Sequence, residues 1–318
     1  MSVTAKVTRI LAPTDLSQFA EGACRLAARL ANRLEAKLVV FHAVQAIDVA
    51  AEVGPATERT QAEVLSDVRE RLSAWFHTVV PEELRRFLTL EVQVALGEPA
   101  PSIALAAKES GADCIVMATH GRSGISHLVM GSVTESVLRT APAPVLALRP
   151  SQEGRPLKEV KKILWATDLS TTSDEAWRYV LMLADAFAAE VFLLNVVSPL
   201  EFAGIGDMRV PPPSGWVEGR VAASYKELAR WQQEVELLGL RVRRKVTVGA
   251  PAVSIVLEAQ KAPADLIVMG TQGRTGLSHL LLGSVAEAVI RKAPCPVLAV
   301  QARPPSEPEK PGSPTALA

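Results

Sequence analysis

The sequence predicts an α/β fold of two tandem, open, doubly wound domains, each a five-stranded parallel sheet with helices on both faces. Three observations carry this. The chain repeats itself once. Each repeat alternates strand-sized apolar runs with amphipathic helical segments. The run Cys114–Ala118 is apolar without interruption, as a strand covered on both faces must be.

Residues 121–149, GRSGISHLVMGSVTESVLRTAPAPVLALR, align without a gap on 273–301, GRTGLSHLLLGSVAEAVIRKAPCPVLAVQ, at an offset of 152 positions. Gly97-Glu98-Pro99 matches Gly249-Ala250-Pro251, and Ala112–Met117 matches Ala264–Met269. Near the start, RILAPTDLS from Arg9 matches KILWATDLS from Lys162, at an offset of 153. A period this long marks a duplicated domain rather than a solenoid repeat. A length of 318 residues agrees, at about 150 residues per domain. The expected domains are 1–150 and 151–302. Their joint, Pro150 to Glu159, is polar and carries Gly and Pro. The segment 303–318 holds five prolines and few large apolar residues, so it is expected to be disordered.

In the first repeat, Thr8–Pro13 is a short apolar strand. Ala20 to Leu34 has helical spacing, with Ala23, Leu26, Ala27, Leu30 and Leu34 on one face. Ser17 is its expected N-cap, and Glu21 lies in the first turn, where the helix dipole favours an acid. Lys37–Val44 is a second strand, Glu58 to Val79 a long helix, Leu90–Ala95 a third strand and Pro99–Ser110 a helix. Cys114–Ala118 is the fourth strand, Ser132–Arg139 opens another helix, and Val145–Leu148 is the fifth strand. Strands alternating with crossover helices make a parallel sheet. The second repeat has strands at Lys162–Ala166, Glu190–Val197, Arg241–Val248, Leu266–Gly270 and Val297–Val300. Its second crossover carries an insert, Gly204 to Gly215, whose Pro211-Pro212-Pro213 reads as loop.

Composition excludes several classes. Lys+Arg and Asp+Glu both total 34, so there is no charge excess for a nucleic-acid or membrane surface. Aromatics make up 4 %, too few for base-stacking platforms. No apolar run approaches the roughly 20 residues of a membrane span. Met1 to Thr8 has no apolar leader core, so a cytoplasmic location is expected. Three cysteines, Cys24, Cys114 and Cys295, lie far apart among apolar neighbours. They read as reduced thiols rather than a disulfide framework or a metal site.

In an open parallel sheet the ligand crevice lies beyond the carboxyl ends of the strands, where strand order reverses. Two segments of each repeat should reach it. One follows strand one: Pro13-Thr14-Asp15 and Ala166-Thr167-Asp168. The other follows strand four: in the second repeat Met269-Gly270-Thr271-Gln272-Gly273, then nine residues, then Gly283-Ser284 opening a helix. Glycines let backbone N–H groups approach a ligand, and a helix start offers unpaired donors with partial positive charge. Arg274 can meet phosphate oxygens. A tight turn followed by an ordinary helix cap fits the same residues, and composition leaves both readings open. Neither G-x4-G-K-[ST] nor G-x-G-x-x-G occurs.

The G-x2-G-x9-G-[ST] spacing resembles the ATP-binding signature of the universal stress protein family. The APTDLS stretch and the terminal APCPVLAV strand are similar to that family too, and the resemblance spans nearly all of residues 5–302. It implies an adenine-nucleotide-binding α/β fold. It also implies that the apolar edges Ala143–Arg149 and Cys295–Gln301 pair antiparallel, making an intramolecular pseudo-dimer. Carried over residue by residue, the implied nucleotide set in the first repeat is Pro13, Thr14, Asp15, Ala43, Met117, Ala118, Gly121, Arg122, Gly131, Ser132, Val133 and Thr134. In the second it is Ala166, Thr167, Asp168, Val196, Met269, Gly270, Gly273, Arg274, Gly283, Ser284 and Val285. The first repeat departs at Ala118, where the pattern has glycine. If the backbone there needs positive φ, the methyl costs around 1 kcal/mol; if it needs only close approach, it can be tolerated. The second repeat has Ala286 where the first has Thr134.

Other polar residues read as structural. His127 and His279 recur without metal partners, and Asp113 and Asp265 are expected to cap the turn before strand four; His120 aligns with Gln272, so it is no shared catalytic group, but it is expected to graze the phosphate. Arg241, Arg243, Arg244 and Lys245 read as an exposed strand face, and Trp165 as packing. No Ser-His-Asp set, paired carboxylates or metal cluster recurs in both repeats. The expected function is ATP binding, with or without magnesium, in a regulatory stress-response protein with no catalytic residues. Such a chain is expected to form a homodimer. A slow ATPase or phosphoryl- or nucleotidyl-transfer enzyme on the same site is the alternative, as is a partner-binding module with vestigial sites.

Overall fold

The computed structural model describes residues 5–47, 60–120, 130–149, 160–199, 213–272 and 282–301. The joint at 150–159, most of the 204–215 insert, the tail, His127 and His279 lie outside them. The first repeat supplies β1 (Arg9–Pro13), α1 (Gln18–Leu34), β2 (Lys37–Val44), α2 (Gln61–Val79), α3 (Glu82–Arg85), β3 (Leu90–Leu96), α4 (Pro99–Ser110), β4 (Cys114–Ala118), α5 (Ser132–Thr140) and β5 (Val145–Leu148). The second supplies β6 (Lys162–Thr167), α6 (Thr171–Phe187), β7 (Glu190–Val197), α7 (Trp216–Leu237), β8 (Val242–Val248), α8 (Pro251–Lys261), β9 (Leu266–Gly270), α9 (Ser284–Lys292) and β10 (Val297–Val300).

All ten strands form one sheet in the order β3-β2-β1-β4-β5-β10-β9-β6-β7-β8. Every pair within a repeat is parallel. Between the repeats β5 and β10 run antiparallel, with Leu146 opposite Leu298. The two five-stranded sheets therefore close each other's apolar edge, as the pseudo-dimer expectation required. Arg149 Nη1 donates to the Ala293 carbonyl at 3.1 Å, and Gln301 Nε2 to the Leu138 carbonyl at 2.9 Å. Strand periodicity divides the core between the two faces. Ile10, Ala12, Ile163 and Trp165 pack with α1, α2, α6 and α7. Leu11 and Leu164 pack with α4, α5, α8 and α9. Trp165, Trp177 and Trp231 form a cluster with ring centroids 4.7, 5.2 and 5.0 Å apart.

Several local expectations change. The described part of α2 starts behind a capping box in which Thr60 and Glu63 bond each other's backbone. A one-turn helix, α3, follows it. Ser17 and Ser170 occupy N-cap positions but make no side-chain cap. Asp113 and Asp265 do not cap a turn. Asp113 Oδ2 accepts from Thr8 N, Thr8 Oγ1 and Arg9 N at 2.7, 2.8 and 3.1 Å. Asp265 Oδ2 accepts from Lys161 N and Lys162 N, both at 2.9 Å. These carboxylates bind β1 to β4 and β6 to β9 at their amino ends by charge-assisted bonds. The basic run is an exposed face as expected, with Arg241, Arg243 and Arg244 exposed, and it carries ion pairs of Arg243 with Glu190 at 2.5 Å and of Lys245 with Glu258 at 2.8 Å.

Candidate functional site

β1 and β6 end in the same tight turn. Thr14 Oγ1 accepts from Leu16 N at 3.0 Å, and Thr167 Oγ1 from Leu169 N at 2.9 Å. Leu16 and Leu169 both sit at φ 63°, a conformation costing a side-chain-bearing residue roughly 1–2 kcal/mol. The turn orients the acid between them. Asp15 Oδ1 accepts from Ser17 N and Oγ at 3.1 and 2.6 Å. Asp168 Oδ1 accepts from Ser170 N and Oγ at 3.1 and 2.6 Å, and from Ser173 Oγ at 2.9 Å. Ser17, expected as a helix cap, and its counterpart Ser170 thus serve to fix the aspartates.

The second strand contributes a pair that the motif reading missed. His42 Nδ1–H donates to the Thr14 carbonyl at 2.7 Å, and Asn195 Nδ2 donates to the Thr167 carbonyl at 2.9 Å. Because a carbonyl only accepts, both side-chain orientations are set. The available signal was one polar residue at the same place in two otherwise apolar runs, 38–44 and 191–197.

At the carboxyl end of strand four, the chain returns so that Gly131 N donates to the Thr119 carbonyl and Gly283 N to the Thr271 carbonyl, both at 2.8 Å. These glycines have φ of −62° and −63°, which any residue can adopt. What they supply is room: a β-carbon would lie 3.2 Å from the Thr119 oxygen and 2.8 Å from the Thr271 oxygen. Gly270 is not among the glycines with positive φ, so the alternative that penalised Ala118 falls away. Thr134 Oγ1 donates to the Ala118 carbonyl at 2.9 Å.

These parts meet at the switch in strand order between β1 and β4. A cavity of about 370 Å³ opens there in the first repeat. It brings together Pro13, Thr14, Asp15, Ala43, Met117, Ala118, Gly131, Ser132, Val133 and Thr134. Sequence reasoning missed Phe41, Gln45, Pro99 and Ile103 on its wall, and His120, expected to graze a phosphate, lines it too. Phe41, Ala43, Ile103 and Met117 give it an apolar lining. The start of α5, whose first N–H groups have no intrahelical acceptor, lines it as well. Gly121, Arg122, Gly273 and Arg274 lie outside the described residues.

The second repeat places its residues at the same ends. Ala166 and Thr167 finish β6, and Asp168 follows. Val196 stands opposite Thr247 on the neighbouring strand. Met269 and Gly270 finish β9, and Gly283 caps α9, which begins Ser284-Val285.

The sequence profile of the universal stress protein family matches residues 6–149 and again 159–301. The chain belongs to that family. Both halves match it, so the chain is a tandem universal stress protein. It is 40 % identical over 144 residues to a universal stress protein of Methanocaldococcus jannaschii, covering 44 % of this chain and 82 % of that one. It is 27 % identical over 300 residues to one of Mycolicibacterium smegmatis, covering 92 % and 97 %. The crystal structure of a universal stress protein from Archaeoglobus fulgidus matches its fold at a TM-score of 0.67, with 21 % identity, covering 94 % of this chain and all of the other. No described helix is long and apolar enough to cross a membrane.

Proposed function

We propose that this tandem universal stress protein binds adenine nucleotide, ATP foremost, once in each repeat, and acts as a regulatory binding protein. The observation that carries the reading is the first repeat's cavity. It offers the two chemistries a nucleotide needs in one cavity: an apolar lining for a base and a helix start for phosphates. Its volume of about 370 Å³ falls in the range of small-molecule sites, roughly 300–1,000 Å³. The matching turn, carbonyl bond and glycine return in the second repeat support a second site.

Binding is favoured over turnover because Asp15 and Asp168 each commit one carboxylate oxygen to serine donors. Slow hydrolysis or group transfer, with magnesium, is the second reading. The same proposal sets domain limits at 1–150 and 151–302 and a homodimer in the cytoplasm, where three buried, unbridged cysteines fit a reducing compartment. Calorimetry with ATP tests the reading, with two sites per chain expected. Ser132→Asp and Ser284→Asp should each remove one site. An acid in the first turn suits the helix dipole and keeps the fold, yet repels phosphate. The affinity lost should be at least about tenfold. Product assays with and without magnesium separate binding from hydrolysis. Wild-type protein that takes up no ATP at millimolar concentration overturns the proposal.

A further inference from the structure

The two candidate sites share their turns, glycines and acids but differ in titratable side chains. His42 and His120 of the first correspond to Asn195 and Gln272 of the second. His120 lines the cavity. Its Cα lies 3.9 Å from where a Gly131 β-carbon would be, so its backbone rests against the start of α5. Gln272 holds the same place, its Cα 4.0 Å from the Gly283 β-carbon position. His120 Nδ1 is 2.9 Å from Thr119 Oγ1. A hydroxyl can donate to a neutral ring or accept from a protonated one, so the Nδ1 contact is compatible with either charge state of His120. An imidazole changes charge between pH 5 and 8, whereas an amide does not.

We propose that His120 is a specificity-determining residue of the first site: once protonated, it adds a positive charge beside the helix start. The first repeat then binds phosphate-bearing ligands more tightly as pH falls, most of all those with the longer phosphate chain. The second repeat, with Gln272, does not. This rests on the reading that both repeats bind adenine nucleotide. Among the described residues, the titratable or charged groups at the cavity ends of the elements that meet there are Asp15 after β1, His42 on β2, Glu98 before α4, Glu135 in the first turn of α5 and Arg149 after β5. Asp15 is committed in part to Ser17, and His42 to the Thr14 carbonyl. The sign follows from linkage. A bound phosphate favours the imidazolium and raises its pKa, so the gain is full below the free value and lost above the bound one. The terminal phosphate itself protonates near pH 6, which weakens both sites alike and makes the second repeat an internal reference.

The test is calorimetry with ATP and ADP at pH 6 and pH 8, using Ser284→Asp to isolate the first site and Ser132→Asp to isolate the second. The ratio of Kd at pH 8 to Kd at pH 6 should be severalfold larger for the first site, approaching the limit of about tenfold that a pKa rise of about one unit on binding sets. His120→Gln should reduce the first site's ratio to that of the second. Gln272→His should confer the larger ratio on the second site. Equal ratios in the two isolated sites, a ratio that survives His120→Gln, or one abolished by His42→Asn instead overturns the assignment while leaving nucleotide binding intact. Absence of binding at either pH removes the nucleotide reading and this inference together.

Discussion

Thr134 donates its hydroxyl to the carbonyl of Ala118, and the same two positions in the second repeat hold Ala286 and Gly270. The bond joins the end of β4 to the first turn of α5 through a main-chain oxygen that Gly270 also carries, so the Thr134–Ala286 difference is the one that removes it in the second repeat. Both partners are buried, Thr134 at 3 % exposure. Thr134→Ala should cost about 1 kcal/mol in urea unfolding, the usual net value of such a bond. Thr134→Ser should recover most of it. Equal stability of the alanine and serine variants would show that the hydroxyl contributes nothing.

The two interrupting glycines should differ in tolerance. A β-carbon on Gly283 meets the Thr271 oxygen at 2.8 Å, and one on Gly131 meets the Thr119 oxygen at 3.2 Å. Gly283→Ala should destabilise by about 2–3 kcal/mol through overpacking. Gly131→Ala should cost under about 1 kcal/mol, since the unfolded chain also loses freedom. Denaturant midpoints decide this, and the reverse ranking would refute the close-approach explanation.

Cys24 and Cys114 should resist thiol reagents in the folded state. Burial pushes both thiols from an ordinary value of 9.0 up to about 12; Arg25 opposes this at Cys24 and Asp113 adds to it at Cys114. Iodoacetamide at pH 8 should leave both unmodified until urea unfolds the chain. A raised pKa means that the folded state holds its proton longer. Each thiol's contribution is therefore full below pH 9 and is lost as pH climbs toward 12. Rapid native labelling at pH 8 would contradict the burial.

Glu258 should be worth more at neutral pH than in acid. It is 7 % exposed. Burial pushes its carboxyl up, but hydrogen bonds from Lys245 and Lys261 outweigh this and hold it below the usual carboxylate value. Lys245 Nζ lies 2.8 Å and Lys261 Nζ 3.3 Å from its oxygens. A lowered pKa stabilises above the unfolded value and fades as pH drops through the folded one. Glu258→Gln should cost about 1–2 kcal/mol at pH 7, discounted because both lysines reach solvent. The deficit should vanish near pH 3. A deficit independent of pH would assign the effect to packing instead.

The duplication, the strand and helix order and most of the cavity wall were legible in the sequence by itself. The reason is that burial on a sheet or helix prints a local period, and a duplicated chain prints each period twice. Thr14 and Asp15 were found because they follow a strand at the carboxyl edge, and Met117, Gly131 and Ser132 because they match the family's motif. Only the tertiary structure decided what those residues bond to. That Asp113 receives Thr8 from 105 positions away depends on β1 and β4 lying side by side. That His42 and Asn195 grip the carbonyls of Thr14 and Thr167 depends on the register of β2 with β1 and of β7 with β6. The glycines at 131 and 283 were visible as letters, but their reason was not, because a carbonyl brought within contact distance from another segment leaves no local pattern. Long-range register, rather than local propensity, also joined two sheets into one at β5 and β10.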